Sequence, residues 1–237
     1  MVTVLVFLLN LSTVVRTSTF IAAFQTSGHW SKNEYLEYKN NIPELTEFTS
    51  CHWERASFFS ERSNEIWTYC QYKSVNETNL RCVSIYYYPP NPNGKIVFGF
   101  NIPDWINDRE RITWKFENIE YKHRQWNHFC LVYSNPVGTV KLYHNGELFN
   151  NISILDDSWT HAPAMPDSRN AYDAALIVGQ DPDVMRGKFD KHQSFAGDIA
   201  ELNIYTGILN EEVIRKLARC TYSKEVISLL GVQTVSM

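Results

Sequence analysis

Asp181, Asp183, Asp190 and Gln193 place hard oxygen donors in one turn-rich segment, GQDPDVMRGKFDKHQSFAGDI over residues 179–199, between two apolar runs. Oxygen donors at this density are the ligand type of calcium, which takes about six to eight of them at roughly 2.3–2.6 Å. The segment therefore reads as a metal loop, against the alternative of a solvated acidic turn. Catalytic arrangements are weaker. Asp198 and Glu201 form the best close carboxylate pair, but an odd offset on a strand points them to opposite faces, whereas glycoside hydrolysis needs two carboxyls facing each other across a cleft. The seven histidines are dispersed, without the i, i+4 pairing of zinc proteases. No Gly-rich phosphate loop and no nucleophile elbow is present, so no enzyme is expected.

The elements that must carry this loop read as strands. Short runs rich in Val, Ile, Phe, Tyr and Trp alternate with turn residues: 65–69, 82–88, 95–100, 111–116, 127–133, 175–178 and 199–205. Thr139 to His144 followed by Asn145-Gly146 predicts a tight hairpin, with Val140 and Leu142 on one face. A single helix is expected after Asn210, which can cap it. Glu211 and Glu212 suit its positive end and Lys216 and Arg219 its negative end, and Val213, Ile214 and Leu217 share a face. Residues 156–170 read as a long surface loop, 89–94 as a turn, and 226–237 as an edge strand or tail. This is the pattern of an all-β antiparallel sandwich with one short helix.

The 237 residues, 44% apolar and 20% charged, suit one ordinary folded domain. A net charge of -4 with no basic run argues against a nucleic-acid partner. Residues 2–15 form an apolar run too short to span a bilayer comfortably and followed by small residues, the profile of a secretory signal. The expected boundary is a signal over 1–23, with cleavage between Thr17 and Ala23, and a domain over 24–237. No other segment is long and apolar enough to cross a membrane, so a secreted, extracellular product is expected. Secretion makes disulfides expected among Cys51, Cys70, Cys82, Cys130 and Cys220, an odd count that leaves one thiol free or joined to another chain. Sequons at Asn76 and Asn151 agree with export.

Beyond these patterns, the chain resembles the pentraxins, a family of secreted calcium-dependent lectins, from about Tyr35 to about Cys220. The likeness is clearest over Gln180 to Tyr205, where the Gly-Gln lead, the acidic loop, Gln-Ser and Gly-Asp-Ile stand in the family's order. Glu47 to Cys51, Ile66 to Tyr69 and His128-Phe129-Cys130 add to it, although Val132 and Tyr133 depart from the family signature. The resemblance implies a two-sheet jelly roll of the concanavalin and laminin-G type and a Cys51–Cys130 disulfide. A second bridge, Cys70 to Cys82, is expected across a hairpin, which leaves Cys220 over. It also implies two adjacent calcium ions, held by Asp181, the Pro182 carbonyl, Asp183, Asp190 and Gln193. Asp181 and Asp190 stand where the family usually has Glu, a reach shorter by one methylene.

A second loop of the family supplies further ligands, here at Asn76 or, if the loop is shifted, at Glu77 or Asn79. A glycan on Asn76 and calcium coordination by it exclude each other. In the family, phosphate oxygens of the ligand complete the metal shell beside an apolar pocket. Tyr87 and Tyr88, with Tyr86, lie near the pocket wall, where aromatic faces can hold a quaternary ammonium. The implied function is calcium-dependent recognition of phosphorylated headgroups or glycans on surfaces, with assembly into flat rings, often of five subunits. The alternative is a calcium-independent adhesive or structural module on the same sandwich.

Overall fold

The computed structural model describes residues 21–38, 42–72, 74, 76, 80–103, 112–153, 164–165, 167–220 and 234–236. In chain order the elements are β1 (Ile21–Phe24), β2 (Leu36–Tyr38), β3 (Glu47–Ala56), β4 (Asn64–Tyr72), β5 (Arg81–Tyr88), β6 (Lys95–Ile102) and β7 (Ile112–Glu120). They continue with β8 (Asn127–Ser134), β9 (Thr139–His144), β10 (Glu147–Ser153), β11 (Asp173–Val178), β12 (Gly197–Thr206), α1 (Glu211–Leu217) and β13 (Thr234–Ser236). Every pairing is antiparallel. One sheet runs β1-β12-β3-β8-β9-β10, with β13 also on β12, and the other runs β2-β11-β4-β5-β6-β7.

Alternation along β3 explains how the sandwich closes. Phe48 faces the partner sheet and packs against Trp67, Phe100 and Tyr133, with ring centroids at 6.5, 6.0 and 5.4 Å. The indole of Trp67, fully buried, donates to Ser50 Oγ at 2.9 Å, so its one polar atom enters the core satisfied. Cys51 points the other way. It is bonded to Cys130 in a second apolar cluster with Val132, Tyr143 and Tyr205, which Val213 and Ile214 of α1 cover. The helix starts where Asn210 Oδ1 accepts the Val213 amide at 2.9 Å, one of the four donors a helix start leaves unpaired. A second disulfide joins Cys70 to Cys82 across β4 and β5, and Cys220 is free and exposed.

The β9–β10 hairpin turns through Asn145 and Gly146, with φ of 52° and 87°, the positive angles its sequence demands. Ile21–Phe24 is a strand paired to Gly197–Ala200, with Ala22 and Phe24 buried, and it overlaps the end of the range 17–23 in which signal cleavage is expected. In β12 the alternation breaks: the register shifts between Ala200 and Asn203, and Glu201 takes a φ of 49°. This bulge keeps Ile199, Leu202 and Ile204 all in the core. Parity across it therefore says nothing about where Asp198 and Glu201 point.

Gly197 opens β12 at a φ of 145°, and a Cβ there would lie 2.2 Å from the Arg55 carbonyl oxygen. Gly197→Ala is expected to cost about 3 kcal/mol through overpacking and backbone shift, read as a lowered denaturant midpoint. An unchanged midpoint would show that β3 yields at this crossing.

Candidate functional site

The acidic loop leaves β11 at Gly179, whose φ of 87° and close approach to the Phe24 ring (2.8 Å to a built Cβ) exclude a side chain. The Phe195 amide donates to the Gly179 carbonyl at 3.0 Å and closes the neck. Within the neck, Val184 and Gly187 bond each other's backbone in a tight turn. Phe189 packs with Ala175, Ile177, Tyr35 and Met185, and the Tyr35 and Phe189 rings lie 4.7 Å apart. Leu176 and Val178 belong to the core between the sheets, so Ala175 and Ile177 face outward. The loop thus folds back over the outer face of β11. Arg186 holds it there through Glu37 (2.5 Å) and Asp173 (2.7 Å).

Folding back carries the loop toward the start of β11, where Asp173 pairs with Tyr72 at the end of β4. Asn76 follows that end and is exposed in a turn, while Glu77 and Asn79 lie outside the described residues. Among the candidate donors, Asp181 and Gln193 are brought together: Gln193 Nε2 donates to Asp181 Oδ2 at 2.9 Å across twelve positions. Asp190 caps the short 3-10 helix Lys191–Gln193, accepting the His192 amide at 3.0 Å. Its other oxygen accepts from Arg62 Nη1 at 3.0 Å. Asp183 is exposed and Pro182 is buried. Beneath them Gln180, fully buried, donates to the Ser31 carbonyl at 2.7 Å, and its Oε1 has no hydrogen-bond partner among the described residues.

These donors suit calcium in kind, since all are oxygens on one loop and carboxylates lead the set. They are not gathered into a cage. Among the described residues, the one trio of His, Cys, Asp or Glu ligand atoms within 4.8 Å is Cys51, His128 and Cys130, and its sulfurs are spent in a disulfide. Asp190 is meanwhile matched by a guanidinium. Arg62 and Glu61 carried no signal in the sequence, and Gln180 entered only through the Gly-Gln lead, not as a buried polar group. Arg62 meets Asp190 across 128 positions, and Glu61 lies 3.2 Å from His192.

The tyrosine run is corrected by the pleat. Tyr87 has 0% exposure and stacks on Tyr121 at 5.5 Å between the sheets, so it cannot line a ligand pocket. Tyr86 and Tyr88 face outward, 5.5 Å apart edge to face. The Tyr86 ring lies over Gly99 and the Tyr88 ring lies under the Lys115 ammonium at 5.3 Å. Tyr88 therefore already carries a cation on its face.

Residues 24–230 match the model of the Pentaxin family. The chain is 26% identical over 187 residues to the neuronal pentraxin receptor of Rattus norvegicus, covering 79% of this chain and 32% of that protein. It is 30% identical over 102 residues to C-reactive protein 1.1 of Limulus polyphemus, covering 43% of this chain and 38% of that protein. The chain thus spans about a third of the length of these relatives. A native heptameric SAP-like pentraxin from Limulus polyphemus superimposes with a TM-score of 0.61 at 19% identity, over 88% of this chain and 89% of that one. At that identity the likeness shows the fold, the two-sheet jelly-roll sandwich. No described helix is long and apolar enough to cross a membrane.

Proposed function

Because this chain belongs to the pentaxin family, we propose that it is a secreted recognition protein that holds calcium in the loop 180–193 and, through the metal, a phosphorylated or carbohydrate ligand. The observation that carries this reading is the closed neck at Gly179 and Phe195, which brings Asp181 and Gln193 into contact at 2.9 Å. Asp181, Asp183, Asp190, Gln193 and the Pro182 carbonyl would hold the ion, with Asn76 joining them where it bears no sugar. Calcium would supply positive charge and open coordination positions for ligand oxygens. The chain's own contribution is the platform: Phe189 on β11 fixes the loop, and Arg186 turns its charge toward Glu37 and Asp173. Ligand-binding surfaces rather than a catalytic pair are what this arrangement offers. Assembly into a homo-oligomeric ring belongs to the same proposal, in line with the heptameric relative, as does a glycan on exposed Asn151.

One observation favours the second reading, a metal-free adhesive module on the same sandwich. Arg62 already compensates Asp190, as a cation would. The two readings separate in one experiment. Capture on phosphocholine-bearing and acidic polysaccharide surfaces is measured in calcium and in chelator, with the wild type and with Asp183→Asn. Asp183 is exposed, so the variant should unfold like the wild type yet lose calcium-dependent capture by on the order of tenfold or more, because calcium affinity follows ligand charge. Capture that survives chelation in both proteins would leave the adhesive module.

A further inference from the structure

β10 is the last strand of its sheet: it pairs with β9 on one side, and nothing among the described residues pairs with its other edge. Such an edge is a template for another strand unless charge, proline or a cover blunts it. The stretch LFNNISIL over 148–155 carries no charge and no proline, which is the composition of a segment prone to strand addition. Leu148 and Phe149, adjacent on this strand, are 45% and 38% exposed.

The register decides which side chains share a face. Val140 and Leu142 of β9 belong to the core between the sheets, and Tyr143 to the cluster under α1. Leu148 stands opposite Tyr143 and Asn151 opposite Lys141, so both are on the outer face, the one that carries α1. Ile152, opposite Val140, packs against the core. The register shift between Leu148 and Asn150 places Phe149 in a bulge between the two outer residues. The helix meets the strand at its start, where Arg215 Nε donates to Glu147 Oε1 at 3.2 Å, and Leu148 just beyond stays exposed. Asn151 is exposed and heads the sequon Asn151-Ile152-Ser153. The apolar strip and an attachment point for sugar thus lie on one strand, three positions apart.

A second copy of the chain suits this edge less well. The bulge interrupts the ladder and leaves Asn150–Ser153 as the longest regular run in β10, too short to bury the roughly 1,600 Å² of a standard interface. We propose that an N-glycan on Asn151 covers Leu148 and Phe149 and blocks this edge. The inference rests on the secretion and glycosylation of the proposed function and is independent of calcium. In the transfer, Asn151 Nδ2 bonds to the anomeric carbon of N-acetylglucosamine as the carbon–oxygen bond to a polyprenyl diphosphate donor breaks. The diphosphate leaves with the electron pair, and the amide gives up one proton. The C–H face of the first pyranose then removes exposed apolar surface from water, and the bulk of the glycan keeps a second strand away.

The test compares the full protein secreted from glycosylating cells as wild type, as Asn151→Gln, and as Asn151→Gln combined with Phe149→Lys. Peptide mass spectrometry reads occupancy of Asn151, and sedimentation in chelator reads association. The expected result is an occupied site in the wild type and association of Asn151→Gln beyond the wild-type size, at concentrations lower by about tenfold or more. Phe149→Lys should restore the wild-type behaviour, since a charge on an edge strand opposes pairing. Enzymatic removal of the glycan from folded Thr78→Ala protein, which lacks the other sequon, repeats the comparison without relying on secretion of an edge variant. An unoccupied Asn151 would overturn the inference together with the glycan of the proposed function. An occupied site with Asn151→Gln sedimenting as the wild type would overturn the cover alone. Loss of subunits from the glycosylated chain on Phe149→Lys would overturn it in favour of an interface between copies.

Discussion

Replacing Cys51 and Cys130 together by alanine is expected to remove about 4.5 kcal/mol of stability, against about 3 kcal/mol for the pair Cys70 and Cys82. The difference follows from loop length: the first bridge closes 79 positions and the second 12, and the unfolded chain regains more freedom when the longer loop opens. The first bridge also sits in the cluster that α1 covers, so its loss loosens the helix contact as well. Domains hold about 5–15 kcal/mol in total, so the first variant should sit near the edge of folding. Guanidinium unfolding of both double variants reads the order directly. A larger loss from Cys70 and Cys82 would contradict the loop-length argument.

Acid is expected to destabilise the sandwich well before its surface carboxylates are protonated. Burial pushes His128 down to about 3, with the His52 and His144 imidazoles adding to it. Burial, then the Lys122 ammonium, pushes His144 down to about 4. Buried His128 lies against Trp53 at 5.0 Å and half-buried His144 against Phe129 at 4.7 Å, where an imidazolium is poorly hydrated. Both native values lie below the unfolded value of 6.5, so the unfolded chain binds more protons between. The stabilisation is complete above pH 6.5 and is lost as pH falls through 4 toward 3. At about 1.4 kcal/mol per pH unit for each proton, the two sites are worth up to roughly 5 and 3 kcal/mol.

Glu54 opposes them over part of the range. It is fully buried beside His52 at 3.2 Å, and burial raises its carboxyl. Its contribution is present below the ordinary value of 4.5 and is lost as pH rises through its raised native value. The net slope should therefore be shallower than two protons wherever Glu54 is protonated in the native state alone, and should steepen below 4.5. Urea unfolding at pH 7, 5.5 and 4 tests this, with His144→Gln expected to flatten the profile. Stability that holds level from pH 6.5 to 4 would contradict it.

What the sequence made legible was local. Asn145-Gly146 specifies its hairpin because few residues accept two positive φ angles in succession, and Asn210 with two glutamates specifies α1 because helix ends need both a cap and a charge. The strands follow from their β-branched and aromatic content, and the acidic loop from its donor density. Parity inside a uniform run was not legible: three consecutive tyrosines look alike from either face, and only the register of β5 against β4 and β6 buries Tyr87. The bulge at Glu201 was hidden for the same reason, since Ile199, Leu202 and Ile204 are apolar whichever way the strand turns. Long-range charge was invisible too. Nothing beside Arg62 points to Asp190. The apolar run at residues 2–15 lies outside the described residues, and the pairing of Ile21–Phe24 with β12 carried no signal of its own in so short a stretch.

The central claim is that the loop 180–193 holds calcium, and calorimetric titration of the purified, chelator-treated protein with calcium tests it most directly. Saturable binding in the wild type that is lost in Asp183→Asn, with both proteins unfolding at the same temperature, is the predicted result. No heat of binding up to millimolar calcium in the wild type would contradict it. The Arg62–Asp190 pair would then be the loop's permanent charge balance, and the sandwich a metal-free adhesive module.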